Sequence, residues 1–177
     1  MIWLSSSMIG RLRDRLRARG QRIAVTLRDV SNLSPDAAEL LAASAEYGPL
    51  CEAMYLMMSA DGKITQDERE VLKGAIRTLS DDTVFSVHIE AMLDAAAKNV
   101  AEHGIEGRLR EVASQIQADS ARAEVAFILA AAIAFADGAI ADEENETLSR
   151  LAEGLGIDEA RVDELLDSVE ADLARRL

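Results

Sequence analysis

The amino-acid sequence predicts an all-α fold, a compact array of about eight or nine helices that contains two pseudo-symmetric helical hairpins. Three observations predict it. The hydrophobic fraction of the 177-residue chain is 49 %, yet aromatics make up only 3 % and prolines number two, so the apolar mass is Ala, Leu, Ile, Val and Met, a helical composition. Helix start and stop signals recur at short intervals, with no convincing strand between them. One stretch of chain also occurs twice, each copy lying between an apolar helix and an amphipathic one.

Residues 1–30 carry seven arginines against Asp14 and Asp29, a charge of +5 in a chain whose total is -13. Apolar residues at Met8, Leu12, Leu16, Ile23, Leu27 and Val30 fall on one helical stripe. Residues 1–32 therefore read as a basic amphipathic helical extension on a helical body, residues 33–177. The extension has two uses: a membrane-surface arm anchored by Ile2, Trp3 and Leu4, or a helix packed on the acidic body. The second is preferred, because opposite charges attract within one molecule. The arginines follow a short apolar stretch instead of preceding a longer one, unlike a secretory leader.

In the body, Ser34 caps a helix with Pro35 at its first position, and Tyr47-Gly48-Pro49 stops it. Pro49 opens the next helix, through Leu50 to Ala60. After Asp61-Gly62 a helix spans about 66–79, and Asp81 or Asp82 caps another that reaches about Val100. Gly104 and Gly107 bracket a break before a helix near 109–116. Asp119 caps a helix whose segment Val125 to Ala136 is apolar all round and therefore central; Gly138 ends it. The last two helices run from about Asp142 to Gly154 and, capped by Asp158, from Glu159 to about Arg175.

The internal repeat carries the functional argument. Ala60-Asp61-Gly62-Lys63-Ile64-Thr65-Gln66-Asp67-Glu68 recurs without a gap, 76 residues on, as Ala136-Asp137-Gly138-Ala139-Ile140-Ala141-Asp142-Glu143-Glu144. The repeated hairpins span 54–80 and 130–156. Asp-Gly-x-Ile-x-x-x-Glu is the second half of an EF-hand loop, with Asp as ligand, Gly at the sharp turn, Ile packed inward and Glu closing the ion. The positions for the earliest ligands hold Met57, Ser59, Ile133 and Phe135, so a complete calcium loop is excluded. Two half-loops that pool their oxygens would instead make a carboxylate cluster of Asp61, Glu68, Asp137 and Glu144, whose mutual repulsion a divalent cation relieves. Oxygen ligands suit Ca²⁺, Mg²⁺ or Mn²⁺, and no organic cofactor is called for.

Helix grammar explains part of the same motif. Thr65 and Glu68 make a capping box, and Gly62 is the left-handed residue that ends the preceding helix. At the second copy Ala141 has no hydroxyl with which to cap, yet Glu144 is retained. That copy, with five acidic and no basic residues in 137–146, is the better candidate for a cation. Asp67, Asp142 and Glu143 read as a solvated rim.

Inventory disfavours enzymes. Neither His88 nor His103 belongs to a Glu-x-x-His or His-Glu-x-x-His pair, and no phosphate loop, nucleophile elbow or dinucleotide fingerprint occurs. His88 reads as packed, Cys51 as a small core residue suited to a reducing compartment, and Met54, Met57 and Met58 as core filler. The negative charge repels a phosphate backbone, so nucleic acid is excluded as a partner.

The paired Ala-Asp-Gly-x-Ile-x-x-x-Glu segments at 60–68 and 136–144 resemble those of the TerB tellurite-resistance family, and similar hairpins occur in the N-terminal domain of membrane-anchored DnaJ-type co-chaperones. The resemblance covers roughly residues 35–177. It implies a helical fold with a pseudo-twofold pair of hairpins and an acidic face that binds divalent cations through Asp61, Glu68, Asp137 and Glu144. It also implies a non-catalytic role in stress or metal-response protein complexes at the inner, cytoplasmic face of the membrane. A metal-independent interaction scaffold or co-chaperone-like module, touching the membrane through residues 1–30, is the alternative.

Overall fold

A computed structural model describes residues 3–18, 33–60, 62, 64–136, 140 and 142–175. Among these residues there are seven helices and no strand: α1 (Ser6–Ala18), α2 (Pro35–Met58), α3 (Gln66–Leu79), α4 (Ser86–Ile116), α5 (Ser120–Ala134), α6 (Asp142–Leu155) and α7 (Glu159–Ala174). No helix among them is long and apolar enough to cross a membrane. The caps expected at Ser34, Thr65, Asp119 and Asp158 all form, each side chain accepting a backbone N–H of the first turn.

The count falls short of eight or nine because α2 runs through one expected break, and α4 is counted as one element across another. Pro49 lies inside α2 instead of ending one helix and starting another. A proline there lacks the N–H that the Ala45 carbonyl would accept, at a cost of about 3 kcal/mol. The buried Arg122 of α5 compensates by donating through Nη2 to that carbonyl at 3.0 Å and to the Glu46 carbonyl beside it. Gly104 does break the helix as expected (φ 72°, ψ 163°), so that α4 is two helical segments joined at a kink, the second ending at Ile116.

The start of α4 also departs from expectation. Phe85 is the N-cap and offers no side-chain bond. Asp81 and Asp82, expected as caps, both adopt left-handed φ, 58° and 56°. Their carboxylates turn instead to arginines, Asp82 to Arg77 and Asp81 to Arg13 and Arg17.

Helix α5 is the centre of the fold. Every residue from Val125 to Ala134 is buried, and it packs against α1, α2, α4, α6 and α7. The hairpins α2–α3 and α5–α6 repeat one another in register: the first helices end at 58 and 134, and the second run 66–79 and 142–155. The caps repeat too, since the Ser59 N–H meets the carbonyls of Tyr55 and Met57, and the Phe135 N–H those of Ala131 and Ile133. Leu72, Ala75, Ile76 and Leu79 are buried, and so are Leu148, Leu151, Ala152 and Leu155 in the same places.

Helix α1 lies on this body. Its stripe of Met8, Ile9, Leu12 and Leu16 is buried against α3 and α5. Leu4, expected within an interfacial anchor, is 2 % exposed and sits in the core, with Trp3 half-buried beside it. Leu4 thus serves as a core residue in this arrangement. Ile2, Ile23, Leu27 and Val30 lie outside the described residues.

Candidate functional site: the duplicated turns

The first helix of each hairpin ends the same way, with the Ala60 N–H on the Met57 carbonyl at 3.1 Å and the Ala136 N–H on the Ile133 carbonyl at 3.0 Å. In the first copy Gly62, at φ +85°, donates its N–H back to the Ser59 carbonyl at 3.0 Å. Ile64 and Ile140 both pack against the core, as the repeated isoleucine requires. Glu68 and Glu144 are each the third residue of their helix and each half-buried.

At Glu68 the capping box is complete. Its Oε2 accepts the Thr65 N–H at 2.6 Å and the Thr65 hydroxyl at 2.9 Å, while Thr65 Oγ1 accepts the Glu68 N–H at 3.3 Å. One carboxylate oxygen is thus engaged by local backbone. Glu144 occupies the equivalent place on α6, with Asp142 and Glu143 exposed beside it in the acidic first turn. Asp67 is likewise exposed. Asp61 and Asp137, the other two expected ligands, lie outside the described residues. Among the described residues, no group of three or more His, Cys, Asp or Glu side chains converges as a metal cluster does.

Basic residues are distributed unevenly about the two turns. On α3, Lys73 Nζ reaches Glu70 at 2.6 Å and Glu90 at 2.7 Å, and Arg69 reaches Glu90 at 2.9 Å and Asp94 at 3.0 Å. The hydrogen bonds from Lys73 and Arg69 hold the Glu90 carboxyl below its ordinary range. On α6, Arg150 faces Glu106 and Glu146, farther along the helix than the turn.

The remaining candidates are structural. Cys51 is wholly buried, which pushes its thiol up to about 12 and removes it as a nucleophile at neutral pH. Met54, Met57 and Met58 are core. His88 is 7 % exposed, with its ring 5.8 Å from that of Phe85. One part-buried ion pair escaped sequence reasoning: Glu52 of α2 receives Arg108 Nε at 2.7 Å and Nη2 at 3.1 Å from beyond the Gly104 joint. No local pattern signals it, because 56 residues separate the partners.

Comparison with curated proteins finds no match, and neither does comparison with solved structures. The family model for tellurite resistance protein TerB matches residues 50–167, two thirds of the chain, spanning both hairpins and both turns. The chain belongs to the TerB tellurite-resistance family.

Proposed function

We propose that this chain is a non-catalytic, tellurite-resistance-type domain that acts by binding, and that it holds a divalent cation through its two Asp-Gly-x-Ile-x-x-x-Glu turns. The observation that supports this is the duplication itself, which puts Glu68 and Glu144 at one position of equivalent helices after equivalent helix ends. In the first turn both cap bonds fall on Oε2 of Glu68, so Oε1 is the oxygen to offer an ion. Asp61 and Asp137 complete the oxygen set, and a hard cation, Ca²⁺, Mg²⁺ or Mn²⁺, suits it.

Titration calorimetry and thermal melts with each cation test the reading. The wild type should bind with saturable heat and gain about 2.7 kcal/mol at one hundred times Kd. Asp137→Asn with Glu144→Gln should lose both effects. No heat and no shift in the wild type removes the cation.

A second reading, a metal-independent scaffold for protein partners in a membrane-associated complex on the cytoplasmic side, is favoured by Phe85 and Val87. They stand 57 % and 69 % exposed at the start of α4. It predicts salt-sensitive association that chelators leave unchanged.

A further inference from the structure

Helix α1 meets the body as a ligand meets a site. Its apolar stripe fills the groove between α3 and α5, with Met8, Ile9, Leu12 and Leu16 all buried. Around that groove stand three carboxylates from three separate parts of the fold, and each is met by α1 or the residue before it. Asp81, in the turn after α3, receives Arg13 at 2.9 Å and Arg17 at 3.0 Å. Glu124 of α5 receives Arg15 at 2.5 Å. Asp172 of α7, itself 3 % exposed, accepts the Ser5 N–H and hydroxyl, both at 2.7 Å, with Arg11 at 3.9 Å. An apolar trough rimmed by acids is the complement of a basic amphipathic helix. The trough's walls, with Asp81 and Glu124, lie within the family-matched segment 50–167; its occupant lies outside it.

We propose that this groove is a docking site for a basic amphipathic helix carried by a partner protein, and that α1 occupies it in cis as a built-in competitor. The partner's helix carries apolar residues four apart on one face and arginines at the margins, as α1 does. Its docking displaces α1 and frees the arginines of that helix. The inference does not rest on the cation, since its argument uses Asp81, Glu124 and Asp172 and none of the four proposed ligands.

The test uses the full chain and a fluorescein-labelled peptide with the sequence of residues 3–18. Tethering gives α1 an effective concentration of order mM, so the wild type should capture the peptide poorly. Reversing charge on the chain's own helix, Arg13→Glu with Arg15→Glu and Arg17→Glu, should improve capture at least about tenfold, by anisotropy, because the cis competitor is weakened. Adding Asp81→Arg and Glu124→Arg should abolish it. Capture no better than wild type, or capture indifferent to the rim substitutions, overturns the proposal. A reversed-charge chain that fails to fold is itself informative when wild-type hydrogen exchange is read beside it. Exchange of α1 as a unit ahead of the core, faster at 500 mM than at 50 mM salt, supports a displaceable helix; exchange of α1 only with global unfolding overturns it. A concentration-dependent dimer that exchanges its α1 helices makes a second copy the occupant, and overturns the assignment to a partner.

Discussion

Helix α3 carries Arg69, Lys73 and Arg77; at the corresponding places α6 carries Asn145, Ser149 and Glu153. The apolar positions behave in the opposite way. Leu72 and Leu79 recur as Leu148 and Leu155, while Ala75-Ile76 becomes Leu151-Ala152, a small and a large residue exchanging neighbouring places with their combined volume nearly kept. Inside, the shared backbone limits what each copy holds. Outside, each helix answers to its own neighbours: α3 faces Glu90 and Asp94 of α4 and needs cations there, whereas the first turn of α6 keeps three consecutive acids.

The largest effect that separates the two copies is steric. At Gly154, a Cβ would lie 2.8 Å from Cβ of the buried Ala113 on α4. Gly154→Ala should destabilise by about 1–3 kcal/mol through overpacking, more than the roughly 1 kcal/mol that alanine gains over glycine inside a helix. The equivalent residue on α3 is Thr78, half-buried, with its hydroxyl on the Gly74 carbonyl at 2.9 Å. Thr78→Gly should cost below about 1 kcal/mol, the propensity difference alone. Urea denaturation of both variants measures this; a stabilised Gly154→Ala protein would show that α4 and α6 do not approach so closely.

A smaller effect lies in the caps. Thr65→Ala gives the first turn the residue the second has at 141, and removes the hydroxyl that bonds both the Glu68 N–H and the Glu68 carboxylate. The expected loss is about 1 kcal/mol. Glu68→Gln acts on the same box, so the double variant should lose less than the two single losses added. Strict additivity in a denaturation cycle would separate Glu68 from the cap and leave its whole carboxylate to other work.

These contrasts also explain what could be read from the chain. The fold class and the duplication were legible because local rules set them: capping residues, left-handed glycine and apolar period all act within a few residues. The continuity of α2 through Pro49 was not, because the guanidinium that satisfies the Ala45 carbonyl comes from Arg122, 77 residues away. Asp81 and Asp82 looked like caps for α4, but long-range and neighbouring arginines recruit their carboxylates instead. At the candidate site, the capping function of Glu68 was legible in Thr65-x-x-Glu68. The relative placement of the two turns was not, since that depends on how the hairpins pack and no sequence spacing encodes it.

The smallest contrast is electrostatic and appears in acid. Glu124, the fifth residue of α5, accepts Arg161 Nε at 2.7 Å and Nη2 at 2.8 Å, and these bonds hold its carboxyl below the ordinary 4.5. Glu90, hydrogen-bonded by Lys73 and Arg69, is lowered in the same sense and clasps the first hairpin to α4. A carboxyl lowered by folding contributes stability that is complete above its unfolded value and is lost as pH falls through its folded value. Glu124→Gln removes that contribution at the outset, below about 1 kcal/mol at pH 7 for a partly exposed pair. Its stability should then fall less than that of the wild type as pH drops beneath 4.5, so that the two curves converge towards pH 3. Glu90→Gln should flatten the same limb while leaving the Arg161 contact of the second hairpin intact. Urea midpoints at several pH values decide it: if Glu124→Gln and wild type run parallel throughout, the bridge from α5 to α7 is not formed in solution.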